Sequence, residues 1–172
     1  MEHFDVIIVG AGISGVSAAV HVGRECPDKS YCVLERRESV GGTWDLFKYP
    51  GIRSDSDMHT LGFNFKPWKE SKSIADGPAI LKYVKETTQE YGVDKNIKFS
   101  HKLTNAQWSS HDAKWTLDVD HASEQVQISC NFLFMCSGYY SHDEVHDPGI
   151  DGVENFSGDV VNPQFWPDGL VH

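Results

Sequence analysis

The chain has 172 residues, of which 40% are hydrophobic and 23% charged, and its formal net charge at pH 7 is −10. This length suits one ordinary domain, or slightly more, with a sizeable core. The acidic balance argues against a nucleic-acid surface, which requires a basic stripe, and no apolar run is long enough to span a membrane.

The chain begins with a pattern of strand, glycine-rich turn, helix and strand. Residues 4–10, FDVIIVG, form a nearly continuous apolar run, which predicts a strand buried on both faces of a parallel sheet. The turn GAGISG has the spacing G-x-G-x-x-G and leads into a helical pattern that stops at Pro27. A second apolar run, SYCVLE, predicts another strand that ends in Glu35. No basic segment precedes the first run, so we expect a cytoplasmic protein without a signal peptide.

This order of elements predicts a dinucleotide-binding site. Gly10 permits the tight turn, Gly12 lets a pyrophosphate approach the backbone, and Gly15 lets the helix pack closely on the strand. The helix N-terminus would attract the phosphates, and Glu35 would accept hydrogen bonds from ribose hydroxyls. The alternative is a packing turn without a ligand. The spacing leaves NAD(P) and FAD open, although an acidic strand end disfavours a 2′-phosphate.

Residues 36–68 show no clear period but are rich in glycine and aromatic residues. A loop of this length in a compact domain is usually functional or disordered, and its aromatic content argues against disorder. We expect an ordered loop that forms the wall of a large planar ligand; the alternative is a loop that covers the sheet edge. Its aromatic residues are Trp44, Phe47, Tyr49, Phe63, Phe65 and Trp68.

GAGISG followed by LERRESVGGTWDLFKYPGIRSDSDMHTLGF resembles the flavin-binding region of Baeyer–Villiger monooxygenases, which are class B flavin-dependent monooxygenases. The segments YPGIRSDSDM and TLGF are most similar to those of the ethionamide-activating type. The resemblance extends to about Pro167. It implies FAD as the cofactor, with NADPH as the reductant. In this family a C4a-peroxyflavin attacks a ketone or a soft heteroatom such as a thioether sulfur.

The resemblance also implies individual roles. The implied cofactor-binding residues are Gly10, Gly12, Ser14 and Gly15 at the pyrophosphate, Glu35 at the adenosine ribose, Gly42, Thr43 and Trp44 along the path to the flavin, Ser54 beside the flavin, Leu103 at the adenine, and Ser137 and Gly138 near the phosphates. Arg53 and Asp55 match the family's R-x-D motif and are the catalytic candidates at the flavin edge. The alternative for Asp55 is ordinary turn chemistry within SDSD.

The rest of the chain completes the predicted fold. Residues 77–92 predict a surface helix that packs on the sheet, residues 97–100 a short strand, and residues 102–130 a three-stranded antiparallel meander. FLFMCSG at 132–138 predicts a separate buried strand. We expect Trp108 and Trp115 in the meander core. The fold class is α/β: a Rossmann-like, glutathione-reductase-like FAD domain with a parallel sheet, flanking helices and a small antiparallel β-meander.

Residues 156–167, FSGDVVNPQFWP, resemble the Baeyer–Villiger signature F-x-G-x-x-x-H-x-x-x-W-P, with Asn162 in place of the histidine. By this resemblance, residues 1–150 are the FAD-binding domain and residues 151–172 a linker toward an NADPH domain that the chain lacks. We therefore expect the chain alone not to oxygenate a substrate. The alternatives are a free-standing FAD-binding or electron-transfer module and a decayed, non-catalytic fragment. Apolar surface left uncovered would favour a homodimer or a complementing chain.

Metal binding and disulfides are not expected. The four cysteines, Cys26, Cys32, Cys130 and Cys136, show no C-x-x-C spacing, which indicates reduced, mostly buried thiols. The nine histidines are scattered, and none has a partner at metal-ligand spacing.

Overall fold

A computed structural model describes residues 1–170, which contain six strands and four α-helices. The strands are β1 Glu2–Val9, β2 Tyr31–Leu34, β3 Ile97–Lys98, β4 His101–Ser109, β5 Lys114–His121 and β6 Glu124–Met135. The helices are α1 Ile13–Glu25, α2 Thr43–Leu46, α3 Met58–Leu61 and α4 Gly77–Glu90. Short 3-10 turns lie at Val93–Asn96, Val153–Asn155 and Pro163–Phe165.

All six strands form one mixed sheet in the order β3-β2-β1-β6-β5-β4. β1 is parallel to β2 and to β6, and β2 is parallel to β3. The β4–β5 and β5–β6 pairs are antiparallel. The predicted α/β fold class, with a parallel sheet and an antiparallel meander, is confirmed.

The prediction of two separate strands between residues 124 and 138 is wrong, because β6 is continuous over 12 residues. Its first half pairs with β5 as far as Cys130, and its second half pairs with β1 as far as Met135. The sequence changes there from alternating to continuously apolar. That change marks a change of strand partner rather than a break, so the meander and the parallel strands share one sheet.

Two layers of apolar side chains bury the two faces of β1. Ile7 contacts a cluster on the meander side that includes Leu117, whereas Ile8 packs against α1 near Ala19. Ile7 and Ile8 are both fully buried. Successive residues of a strand point to opposite faces, so this burial explains the continuous apolar run that predicted β1.

The position and the ends of helix α4 match their prediction, but the helix packs on α1 and on the loop after β2 rather than on the sheet. Asp76 caps it by accepting a hydrogen bond from the Ala79 N–H (3.0 Å), and Pro78 lies in its first turn. Gly92, which follows the helix, has the left-handed φ of +66° that stops helices. Its buried face, which includes Ile80 and Val84, packs on the residues that follow the second strand.

The long loop after β2 is ordered, but most of its aromatic side chains pack within the protein. Phe63 stacks on Phe65 and Tyr83, with ring centroids 5.0 and 5.3 Å apart, and Trp68 contacts Tyr83 edge-on. These residues attach the loop to α4, so they form neither a ligand wall nor a cover over the sheet edge. Of the six, Trp44 lines the cavity at the strand ends that is described below.

The expectation for the meander tryptophans is correct for Trp115 only. Trp115 packs partly buried against the core, whereas Trp108 is 44% exposed, although their ring centroids are 5.4 Å apart. β4 is the edge strand of the sheet. Trp108 therefore has a neighbour on one side only.

Cys32 and Cys130 are buried, as expected, whereas Cys26 is exposed. Burial raises the pKa of both the Cys32 and the Cys130 thiol to about 11. Within residues 1–170, no helix is both long and apolar enough to cross a membrane.

Candidate dinucleotide site

A cavity of about 470 Å³ lies where the carboxyl ends of β1, β2 and β6 meet. This is the position at which open α/β sheets bind ligands. Of the residues predicted from the sequence, those lining it are Gly10, Gly12, Ser14, Glu35, Gly42, Thr43, Trp44, Leu103, Ser137 and Gly138. Tertiary structure therefore gathers ten of the predicted residues from four distant segments, while their role in binding stays a prediction.

Two of the three fingerprint glycines are required by packing. Gly10 has a φ of +101°, and a Cβ there would lie 2.6 Å from the Cys136 carbonyl oxygen. A Cβ on Gly15 would lie 1.8 Å from the Gly10 carbonyl oxygen. Gly15 is buried in this contact and does not line the cavity. Both glycines hold α1 close to β1, as their spacing predicts.

The N-terminus of α1 faces the cavity without a side-chain cap. Gly12 is the N-cap residue, no acidic residue lies in the first turn, and Ile13 and Ser14 line the cavity. The first N–H groups of a helix have no partner inside the helix. These donors and the positive end of the helix dipole suit an anionic group in the cavity.

The loop between β2 and α2 packs directly on the glycine-rich turn. The Gly41 N–H donates to the Ala11 carbonyl (3.0 Å). A Cβ on Gly42 would come within 3.0 Å of the Gly12 Cα. Bare backbone therefore forms both sides of this part of the cavity, and the neighbouring side chains of Thr43 and Trp44 extend its wall.

Glu35 is buried, with 4% of its surface exposed, and has a structural task that the sequence did not indicate. One carboxylate oxygen accepts the Ala11 N–H (2.7 Å), and the other accepts the Arg37 N–H (2.9 Å). Glu35 thereby fixes the glycine-rich turn against the end of β2. Each carboxylate oxygen has a second lone pair, so it can still accept a hydrogen bond from a ligand hydroxyl.

The sequence patterns did not indicate the charged and titratable residues that surround Glu35. Asp143 pairs with Arg36 and with Lys102 (3.0 Å), and these partners lower its pKa to about 2. His142 lines the cavity, and its Nδ1 is buried without a hydrogen-bond partner within residues 1–170. Burial first, and then the charges of Arg36 and Arg37, lower the pKa of His142. Asp143 is 107 residues from Arg36, so no local pattern could have indicated the pair.

Arg53, Ser54 and Asp55 lie outside the cavity lining. Ser54 is buried, and its Oγ accepts the Ala75 N–H (3.2 Å). The backbones of Arg53 and Asp76 form an isolated antiparallel β-bridge. Asp55 is exposed, but its charge reaches the cavity residue Tyr140, whose pKa is raised first by its hydrogen bond with Tyr139 and in smaller part by Asp55. The R-x-D segment thus does not contribute to the cavity lining.

Within the described part of the chain, no group of three or more His, Cys, Asp or Glu residues could hold a metal ion.

The fold is of the Rossmann-like α/β class, and the sequence profile of the NAD(P)-binding Rossmann-like domain family matches residues 8–76. The chain is 56% identical, over 98% of its length, to the FAD-containing monooxygenase EthA of Mycolicibacterium smegmatis, of which it covers 34%. It is thus homologous to the N-terminal third of FAD-containing monooxygenases, and the resemblance seen in GAGISG, GGTW and YPGIRSD is confirmed.

Solved structures agree with this relationship. An oxidised steroid monooxygenase bound to NADP superposes with a TM-score of 0.79 at 30% identity, with 98% of this chain and 32% of that one covered. The open structure of cyclohexanone monooxygenase gives a TM-score of 0.84 at 22% identity, with 99% and 33% covered, and supports the fold alone. The chain thus spans about a third of the length of the proteins it matches.

Proposed function

We propose that this chain forms the FAD-binding portion of an NADPH-dependent flavin monooxygenase. The observation that carries the proposal is the uncapped N-terminus of α1, which faces a cavity where Gly12 and Gly42 leave the backbone bare. An acidic ligand group at this point gains helix N–H donors at close range. The FAD-containing relatives support FAD over other dinucleotides.

The residues present fit the adenosine diphosphate half of FAD. Gly12, Ser14 and Gly42 would hold the pyrophosphate, and the open lone pairs of Glu35 would accept ribose hydroxyls. Leu103 lies on the cavity wall near Glu35, where it suits the adenine ring. The cavity volume of about 470 Å³ is within the range of about 300–1,000 Å³ usual for ligand sites.

Bound FAD would supply the redox chemistry of the site. Toward the far end of the cavity, Trp44 and the Tyr139–Tyr140 pair provide aromatic surface that would exclude water. Arg53 and Asp55, which match the R-x-D motif, are proposed as charged groups beside the flavin. Oxygen insertion into ketones, or oxidation of a thioether-type heteroatom, is proposed as the reaction of the whole enzyme.

Residues 151–170 support the proposal of a linker segment after an FAD domain at 1–150. They contain only two 3-10 turns and are mostly exposed. Asn162, which replaces the signature histidine, accepts the Gln164 N–H (2.9 Å), and the Gln164 side chain donates to the Ser141 carbonyl (2.7 Å). Asn162 therefore retains an orienting role. Val171 and His172, the last two residues of the proposed linker, lie outside the described residues.

A free-standing FAD or electron-transfer module is the second candidate. It is favoured by the cavity, which residues from several segments of this chain line, because binding a flavin needs no nicotinamide site. The apolar side chains at the end of β6 support association with a second copy or a complementing chain: Phe132 and Met135 are each 56% exposed.

The proposal is tested by the absorbance spectrum of the purified protein before and after incubation with FAD and gel filtration. We expect flavin bands to remain with the protein. Gly12→Ala should weaken FAD binding at least about tenfold, because the added methyl group occupies the space of close phosphate approach. It should leave folding intact, since its Cβ meets Gly42 at an ordinary 3.6 Å.

Gly23→Ala is the matched control, because it makes the same substitution near the other end of α1, with Tyr31 at 3.7 Å. It should retain FAD as the wild type does. A folded wild-type protein that releases all FAD on gel filtration would contradict the proposal.

A further inference from the structure

Three cations and three carboxylates lie at the end of the cavity near Glu35, here called the ribose end. They are Arg36, Arg37, Lys102, Glu35, Asp45 and Asp143. Arg37 is paired with Asp45 at 2.6 Å. With three charges of each sign, the ribose end is neutral overall. Arg36 and Lys102 are the two cations that line the cavity itself.

Asp143 is the carboxylate that pairs with both of these cavity-lining cations. It accepts from both terminal nitrogens of the Arg36 guanidinium, one of them at 3.3 Å, and from the Lys102 Nζ at 3.0 Å. Glu35 does not share this task, because its two oxygens accept backbone N–H groups. Removing the charge of Asp143 would therefore leave a surplus positive charge beside the ribose position.

The same contacts hold the segment 139–143 over the cavity. Four consecutive residues before Asp143, at 139–142, line the cavity wall. Asp143 fixes the end of this segment to Arg36, which follows β2, and to Lys102 in β4. Asp143 thus engages both of the cations that line the cavity, and a ligand group would compete with its carboxylate for them.

A phosphate on the ribose 2′-oxygen requires free cationic donors, and arginine in particular, at this position. We propose that Asp143 is a specificity-determining residue that excludes 2′-phosphorylated dinucleotides by occupying Arg36 and Lys102. The inference rests on the proposed dinucleotide site and extends it to the choice of ligand. Without Asp143, Glu35 would be the only residue expected to discriminate against a ribose 2′-phosphate at this position.

The test compares two probes that differ only in the 2′-phosphate: ADP and adenosine 2′-monophosphate 5′-diphosphate. Their dissociation constants are measured by titration calorimetry at low salt for the 172-residue chain and for Asp143→Asn. We expect the wild type to prefer ADP. In Asp143→Asn the ratio of the two constants should move about tenfold toward the 2′-phosphorylated probe, the effect of about two partly exposed ion pairs.

The ratio is insensitive to a general loss of affinity, since damage to the site lowers both constants together. Asp28→Asn is the matched control, because Asp28 pairs with Lys29 on the surface before β2, away from the cavity. It should leave the ratio unchanged. In the double variant Arg36→Gln with Asp143→Asn, most of the shift in the ratio should be reversed, since this variant removes one of the released cations.

An unchanged ratio in Asp143→Asn, with ADP still bound, overturns the inference and leaves the proposed function standing. A wild-type protein that binds neither probe overturns both. A shift that persists undiminished in the double variant overturns the role of Arg36 and with it the proposed mechanism of exclusion.

Discussion

At the scale of single residues, the glycines of the fingerprint do two different things. Gly10 and Gly15 are required because other backbone atoms occupy the space of a side chain, whereas Gly12 leaves open space in the cavity wall. The sequence motif treats the three alike. Substitutions by alanine should therefore separate stability from ligand binding.

We expect Gly10→Ala to destabilise the protein more than Gly92→Ala. Both glycines have positive φ, +101° and +66°, but a Cβ at Gly92 meets nothing within 4 Å. Gly92→Ala should lower the free energy of unfolding by about 1–2 kcal/mol. Gly10→Ala adds a backbone clash worth about a further 1–3 kcal/mol. Urea unfolding of both variants measures the difference, and equal losses would contradict the assigned contact with Cys136.

His142 should make stability depend on pH. Its pKa is lowered by burial and by Arg36 and Arg37, against the weaker opposing effects of Glu35 and Asp143. The folded protein then resists protonation of His142 more than the unfolded chain does. The contribution of His142 to the free energy of unfolding is fully present above its pKa in the unfolded chain, about 6.5. It is lost as the pH falls through its lower pKa in the folded protein.

Urea unfolding at pH 7.5 and at pH 5.5 measures this dependence, because histidine side chains usually change charge in this interval. His142→Asn should show a smaller loss of stability on acidification than the wild type. Identical pH profiles would show that His142 is not protected from protonation by its surroundings.

At the scale of elements, α1 and α4 differ in how they begin. Asp76 caps α4, whereas α1 begins at Gly12 with no side-chain cap. A helix without a side-chain cap is less stable than a capped one, and the uncapped end of α1 faces the cavity. The contrast fits a division between a structural helix and a ligand-binding one.

We expect Asp76→Ala to lower the free energy of unfolding by about 0.5–2 kcal/mol, because it removes the acceptor of the Ala79 N–H. Asp76→Asn keeps a capping oxygen and should lie within about 0.5 kcal/mol of the wild type. Thermal and urea unfolding measure both. A loss as large in Asp76→Asn as in Asp76→Ala would show that the charge of Asp76, which also pairs with Lys72, matters more than the cap.

At the scale of the whole molecule, one sheet carries both the parallel strands and the meander, and β6 connects them. The meander therefore extends from the strand that also ends at the cavity. Its first strand returns His101, Lys102 and Leu103 to the cavity wall. This arrangement brings the meander to the ribose end of the cavity.

The whole chain should bind flavin without turning over NADPH. It spans about a third of the length of its relatives, and its sequence holds one dinucleotide fingerprint. The absorbance of NADPH should stay constant when the FAD-loaded chain is mixed with a ketone or a thioether. Substrate-dependent NADPH oxidation with product formation would contradict this prediction, and free FAD with NADPH serves as the control.

The sequence alone determined the local pieces: β1, α1, the glycine-rich turn, α4 with Pro78 in its first turn and its Gly92 stop, and the resemblance carried by GGTW and YPGIRSD. These follow from interactions between residues close in sequence, where propensity and spacing act directly. Tertiary structure decided the rest. It joined two predicted strands into β6, because a strand can change its partner without breaking.

Tertiary structure also left Trp108 exposed on an edge strand, turned Phe63 and Trp68 toward α4, and gave both oxygens of Glu35 to backbone donors. The pairing of Asp143 with Arg36 and Lys102 joins residues from three distant segments. Such contacts depend on how the sheet brings its strand ends together, and no local pattern in the sequence encodes that distance.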